Sequence, residues 1–387
     1  SDKGLGPRII ERELYTQRAI SEHLGNKQNY RLILATAALN IQRLLHYRFR
    51  IFLLRFYHRP NADTTNPTIP KSICVFLQRS LKKKPMKLAR FRMTIKIHKD
   101  PFKFHPIVSC AGTAMNDLSK VVDHYLRMLL PHVKLYLRDG QQLIDDLKPI
   151  RLPPNARLVT SDANSMYNNI DTLHAIQVIS WWLDELEPDL PPGYPIEAVK
   201  FAMCLVMENN IFEFGTQHFI QLLGTAMGTS AAVMWATLYY GYHKAHRLLR
   251  TYSEQLFYYR RFIDDIFAIW LIDDSPSWSD FKRDLDDFGV LTWETNEPST
   301  TVDFLDMTLT IVEDQIEFRT YQKEMNLYLY LPPASAHPGG CIKGTVCGLI
   351  GCYFAQNTHL KDYLKFVDLL YSRLLNRGWE QSYIKPL

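Results

Sequence analysis

A chain of 387 residues, 47% of them hydrophobic, can bury a large core and divide into two or three domains, which excludes a disordered protein or a small disulfide-stapled one. The net charge of +5 is small, yet Lys71 to Lys99 holds ten Lys or Arg residues and no acid, while acids dominate from Asp273 to Asp287. That polarity predicts a polyanionic partner on one side and a solvated acidic face on the other.

Arg8 to His58 is helical by pattern, with Leu34, Ala37, Ile41, Leu44 and Leu45 at three-to-four spacing, and two helices are expected. Arg59 to Pro70, with three prolines, two asparagines and three threonines, reads as a linker behind a helical amino-terminal extension. In the basic segment, Arg79, Lys82, Lys83, Lys84, Lys87, Arg90, Arg92, Lys96 and Lys99 interleave with Phe91, Met93, Ile95 and Ile97. Period two from Arg90 to His98 gives a strand with one apolar and one cationic face, either a phosphate surface or an edge strand kept soluble by lysine. Pro106 to Ser109 completes a basic hairpin, and Gly112 to Arg138 reads as loop and helix.

Ala156 to Thr160 is the next strand, and Asp162 stands at its end, as a turn residue or as a meeting point with other strand-end groups. Asp171 or Thr172 caps a helix to about Glu187. Another helix runs to about Glu208, and Ile211 to Leu223 suggests a hairpin around Gly215. The small residues from Gly224 to Ala232 allow close approach to the backbone, by a flat partner or by a packed helix. Phe219 to Tyr242 carries no charge, but Gln221, Thr225, Thr229, Ser230, Gly224 and Gly228 interrupt it. It reads as a loop feeding a buried helix rather than a membrane span.

Arg260 to Trp270 is a strand, a turn and a strand, with Asp264 and Asp265 inside an otherwise apolar run. Burying two unpaired carboxylates is costly, so both are expected at a hairpin tip, either solvated or neutralised by a divalent cation. Phe281 to Phe288 is a short helix, Leu291 to Trp293 a strand, and Thr301 to Thr310 with Gln315 to Thr320 a further hairpin. The end, from Tyr321, is mostly helical. His337, Cys341, Cys347, Cys352 and His359 fit no standard zinc spacing, so the cysteines are expected as buried thiols. Six cysteines without regular spacing and no visible signal peptide predict a reducing, intracellular setting.

The order of these pieces resembles the palm polymerases that copy RNA, and the wording is similar to the reverse transcriptases of Penelope-like elements, relatives of telomerase. The phrases are Lys96-Ile97-His98-Lys99, Pro106-Ile107-Val108-Ser109, Asp162 with Met166-Tyr167-Asn168-Asn169-Ile170, Gly224-Thr225-Ala226-Met227-Gly228, Arg261-Phe262-Ile263-Asp264-Asp265-Ile266 and Phe304-Leu305-Asp306. A weaker echo is His337-Pro338 with Lys343-Gly344. The likeness runs from about residue 70 to the end. It implies an α+β right-hand polymerase with fingers, a palm with an antiparallel sheet and a helical thumb, behind a helical amino-terminal extension. The implied divisions are 1–70 for the extension and linker, 71–155 and 171–222 for the fingers, 156–170 and 223–322 for the palm, and 323–387 for the thumb.

The resemblance further implies an RNA-directed DNA polymerase of retroelement type that extends a primer 3′ end with two Mg²⁺ ions, or Mn²⁺ in their place. Asp162, Asp264 and Asp265 are the implied catalytic and metal-binding acids, with the Ala163 carbonyl as a further ligand. Lys96 and Lys99 meet the triphosphate, Tyr167 is an aromatic gate beneath the sugar, and Met227 with Gly228 forms a floor under the base. Lys82, Lys83, Lys84, Lys87, Arg90 and Arg92 bind nucleic acid. The implied partners are an RNA template, a DNA primer and deoxynucleoside triphosphates, in the nucleus and away from membranes. Three departures stand out: His105 where the family usually has Arg, Phe262 where many members have Tyr, and Ala231 with Ala232 where proline is usual. A telomerase-like host polymerase or terminal transferase is one alternative, and a catalytically silent nucleic-acid-binding protein of the same fold is another.

Overall fold

A computed structural model describes residues 10–57, 68–82, 87–96, 103–208, 210–225, 228–272, 277–323, 326, 328–338 and 340–384. Lys83, Lys84, Lys99, Met227 and most of the 59–70 linker lie outside the described residues.

The chain opens with α1 (Arg12–Ala19), a π-helical turn, β1 (Tyr30–Ile33) and α2 (Ala35–Phe56). Next come α3 (Lys71–Lys82), β2 (Ala89–Lys96), β3 (Lys103–Ser109), α4 (Ala114–Leu126) and α5 (Gly140–Leu147). β4 (Ala156–Ala163) leads to α6 (Thr172–Glu185), α7 (Ile196–Met207), β5 (Ile211–Phe214), β6 (Gln217–Gln221) and α8 (Ala232–His243), which passes through a π-helical turn into α9 (Leu249–Thr251). β7 (Leu256–Phe262) and β8 (Asp265–Leu271) precede α10 (Trp278–Asp286), β9 (Trp293–Thr295), β10 (Thr301–Phe304), β11 (Met307–Val312) and β12 (Gln315–Thr320). Three helices close the chain: α11 (Gly340–Gln356), α12 (Leu360–Asn376) and α13 (Gln381–Ile384).

The strands form three sheets, in the orders β1-β6-β5-β2-β3, β7-β8-β4-β9 and β10-β11-β12. The middle one organises the rest. One of its faces carries Val159, Ala163, Tyr259, Ile266, Ala268 and Trp270 into a core shared with α6, α7 and α8. The other face packs Leu158, Tyr258, Phe267 and Ile269 against Leu143 of α5 and Phe304 and Leu309 of the three-stranded sheet. Because both faces are covered, β8 reads as a continuous apolar run instead of alternating. In the first sheet, β2 does alternate: Phe91 and Met93 are buried while Arg90 and Arg92 face out. Pro106 is tolerated in β3 because β3 is an edge strand.

The amino-terminal segment departs from the expectation of a separate helical extension. Its β1 pairs with β6, Tyr30 opposite Gln221, so it supplies the edge of a sheet built largely from later residues. The α2 helix lays Phe49, Phe52 and Phe56 into the main core, with the Phe52 and Phe201 rings stacked at 6.0 Å. Leu34 and Leu44, counted in the apolar pattern, are 76% and 54% exposed, Leu34 because it precedes the helix in extended backbone and Leu44 because it turns away from the buried face. A second correction concerns Cys341, Cys347 and Cys352, which are exposed. α11 turns Ile342, Val346 and Tyr353 into the carboxy-terminal core, which leaves the cysteines outside it. The uncharged stretch from Phe219 divides into the end of β6, a loop and α8, and among the described residues no helix is long and apolar enough to cross a membrane.

The Gly224–Gly228 loop stitches two parts together. Gly224 N–H donates to the Ile170 carbonyl at 2.7 Å and Thr225 N–H to the Tyr167 carbonyl at 2.7 Å. Gly224 has φ +85°, and a Cβ there would sit 2.3 Å from the Tyr167 carbonyl oxygen; Gly228, at φ +123°, would meet the Val108 carbonyl at 2.3 Å. At both glycines the close approach is made by the protein's own backbone, the Tyr167 turn at Gly224 and β3 at Gly228, and not by a packed helix. Gly224→Ala is expected to cost at least about 2 kcal/mol in denaturant unfolding, combining positive-φ strain with the backbone clash. Gly215→Ala, with φ +60° but nothing within 4 Å of a new Cβ, should cost about 1 kcal/mol. Equal losses would show that the clash is relieved without strain.

Candidate active site

The two acidic segments meet through strand pairing. β4 and β8 run antiparallel with Asp162 opposite Asp265, and the Ala163 N–H donates to the Asp264 carbonyl at 3.0 Å. Phe262 pairs with Asp265, so the turn itself consists of Ile263 and Asp264. The expectation of two acids at the tip is thereby refined: Asp264 is in the turn, whereas Asp265 begins β8. On the other side of β4, Asp162 faces Glu294 of β9. Residues directly opposite across antiparallel strands project to the same face, so Asp265, Asp162 and Glu294 form a row of carboxylates across the sheet.

This row lines a cleft of about 370 Å³ together with Asp303, Asp306, Asn296, Tyr321 and Lys323. Like charges about 4 Å apart repel by about 1 kcal/mol in water and about 4 kcal/mol at an effective dielectric near 20. The carboxylate oxygens of the row suit a hard divalent cation, and Lys323 brings a positive charge to the same cleft. Among the described residues no three acids, histidines or cysteines enclose an ion by themselves.

The turn is held under strain. Ile263 has φ +52°, a left-handed conformation that costs a β-branched residue about 1–2 kcal/mol. A second tip repeats the pattern, because Phe304 pairs with Met307 around Leu305 and Asp306, and Leu305 has φ +54°. Phe-Ile-Asp and Phe-Leu-Asp thus make two similar turns, and Phe262, Leu305 and Asp306 share the wall of a neighbouring cavity of about 340 Å³.

Tyr167 lies in a 3₁₀ turn, half-buried, just beyond the end of β4. Burial, and then the charge of Asp264, push its hydroxyl up to about 12, so it is neutral at physiological pH. The turn is fixed from the amino-terminal segment: Asn29 Nδ2 donates to the Asn168 carbonyl at 2.9 Å, and the Tyr30 hydroxyl to Asn168 Oδ1 at 3.4 Å. These two residues were missed in the sequence, which gives no local signal for a contact across so many positions.

The basic residues are spread along the first sheet and its approach. Lys82 ends α3, Lys87 precedes β2, and Arg90 and Arg92 lie on β2, all exposed. Arg90 Nε is already paired with Glu213 Oε1 at 2.6 Å, an exposed contact worth about 0–1 kcal/mol and easily exchanged. Lys96 ends β2 opposite Lys103. The structure brings Asp162, Ala163, Asp264 and Asp265 together, sets Tyr167 within the field of Asp264, and joins the β3 backbone to this group through Gly228.

No protein-family model and no curated protein sequence matches the chain. Among solved structures, a telomerase from Candida albicans in complex with a fragment of telomeric RNA is similar at a TM-score of 0.57 and 10% identity, over 94% of this chain and 57% of that one. Apo telomerase from Candida tropicalis gives a TM-score of 0.48 at 10% identity, over 76% of this chain and 58% of that one. The fold assignment rests on the first. This chain thus spans little more than half the length of the telomerases it matches, and it has an α+β right-hand polymerase fold with sheets of antiparallel strands.

Proposed function

We propose that the chain is an RNA-directed DNA polymerase of Penelope-like retroelement type, which extends a primer 3′ end. The observation that carries this reading is that Asp162 and Asp265 line one cleft on a right-hand fold, with the Asp264 turn tied to β4 next to them by the Ala163 N–H. The three carboxylates would hold two Mg²⁺ ions, or Mn²⁺, with the Ala163 carbonyl as an added ligand. Such ions, when bound, neutralise phosphate charge and favour the ionised primer hydroxyl.

The remaining roles fall to the chain itself. Lys96 and Lys99 would neutralise the triphosphate. The Tyr167 ring, fixed by its buried turn, would exclude a ribose 2′-hydroxyl. Met227 and Gly228 would support the base, with Gly228 packed against Val108 beneath. Lys82, Lys83, Lys84, Lys87, Arg90 and Arg92 would follow phosphates, so affinity for nucleic acid should fall steeply with salt. A nuclear location belongs to the same proposal. The second reading, a telomerase-like host polymerase, is favoured by the fold likeness over 94% of the chain.

Primer extension with RNA and DNA templates tests both. Long DNA products on RNA templates support the retroelement reading; short additions with little use of template support the second. Asp264→Asn should lower kcat at least about 10³-fold, and Asp265→Asn about 10–100-fold, with binding of nucleic acid kept in each. A wild-type chain that binds nucleic acid but never extends a primer would instead be a binding module. Tyr167→Ala should raise ribonucleotide incorporation about 10–100-fold relative to deoxynucleotides, as the loss of a steric clash does. Unchanged discrimination would remove Tyr167 from the gate.

A further inference from the structure

Arg261 shares the hairpin with Asp264, whose charge acts on it, and points to the side of the sheet away from Asp162 and Asp265. It is 2% exposed and lies among Tyr259, Tyr240 and α8. One guanidinium nitrogen, Nη1, donates to the Ile263 carbonyl at 2.6 Å, and Nη2 donates to the Thr237 carbonyl of α8 at 2.6 Å. Its main chain is clamped as well, since Arg261 N–H donates to the Leu135 carbonyl and the Leu137 N–H to the Arg261 carbonyl, each at 2.8 Å. Among the described residues no ion pair holds it, the charge of Asp264 acting from farther off, and a buried cation without a close counter-charge is expensive. The nearby Lys244 deepens the cost. It is buried, its Nζ has no hydrogen-bond partner among the described residues, and it sits 4.0 Å from the centre of the Trp293 ring. Burial first, and the charge of Arg261 second, hold this ammonium well below the usual lysine range, while a guanidinium keeps its charge in proteins.

What the guanidinium gains is a bridge. Its rigid planar fork joins the strained turn residue Ile263 to the helix that follows the Gly224–Gly228 loop, and no single-point cation can span the two carbonyls. We infer that Arg261 is a positioning residue for the cation site: by tying the Ile263 carbonyl to α8 it holds the strained turn, so that Asp264 is presented beside Asp162 and Asp265 before an ion binds. This rests on the reading of those three acids as cation ligands.

Charge and positioning make opposite forecasts. Removing a nearby positive charge should by itself tighten cation binding, whereas releasing the turn should weaken it. Mn²⁺ titration of the purified full chain, followed by the electron paramagnetic resonance signal of the free ion, reads the sign without any need for activity. Arg261→Met and Arg261→Lys are both expected to weaken Mn²⁺ binding about tenfold, and in primer extension to raise the Mg²⁺ concentration for half-maximal rate while leaving the deoxynucleotide KM in place. Should Arg261→Met fail to fold, Arg261→Lys, which keeps the buried cation and one bond, carries the test. Adding Ile263→Gly to Arg261→Lys should recover several-fold of the loss, because glycine adopts the turn conformation without strain. Variants that bind Mn²⁺ as well as or better than wild type overturn the inference alone. A wild-type chain that binds no Mn²⁺ overturns the ligand reading and this inference with it.

Discussion

The antiparallel register between β4 and β8 is the constraint on which the rest of the molecule depends. Seven successive residue pairs run from Ala156 with Leu271 to Asp162 with Asp265. A slip by one residue would send every side chain of β4 to the other face, taking Asp162 out of the cleft and into the helical core. Such a slip is strongly resisted because both faces of β8 are buried, with Phe267 and Ile269 on one side and Ile266, Ala268 and Trp270 on the other. Hydrophobic burial, about 1.5–3 kcal/mol for each large side chain, thus fixes the position of charges that repel one another. The site borrows its precision from a core in which it has no part.

Three further ties convert this register into a cleft. The glycine loop closes on the Tyr167 turn at one end and on β3 at the other, so the edge of the first sheet is held to the middle one by main-chain contact. β1 and the residues before it reach the same turn through Asn29 and Tyr30. Arg261 works from beneath, joining α8 to the Asp264 turn. Each of these is a close polar or backbone contact between segments far apart in the sequence.

Much of this was legible in the sequence where the signal was local. The strand ending near Asp162, the apolar run holding Asp264 and Asp265, the hairpin around Gly215 and the Asp171 cap each depend on a few neighbouring residues, and all are present. What escaped depends on distant partners. β1 is four residues long and becomes a strand only because β6 pairs with it. The Lys71–Lys82 helix was masked by its charge, although Cys74 and Leu77 turn one face to the core. The exposed cysteines of α11 followed from which face of that helix found a partner, which periodicity alone does not decide. Arg261 stood in plain view within the acidic motif, but a basic residue on a strand gives no sign of whether it faces solvent or the carbonyls of its own hairpin.

Strand register is proposed to assemble Asp162, Asp264 and Asp265 into a site for divalent cations at which a primer is extended. The most direct test is a crystal structure of the chain with an RNA template, a DNA primer and a non-hydrolysable deoxynucleotide, grown with Mn²⁺ and measured at the manganese absorption edge. Two anomalous peaks bounded by the three carboxylates and the triphosphate are predicted. Peaks elsewhere in the molecule, or none beside Asp162 and Asp264 with the nucleotide bound, would contradict it.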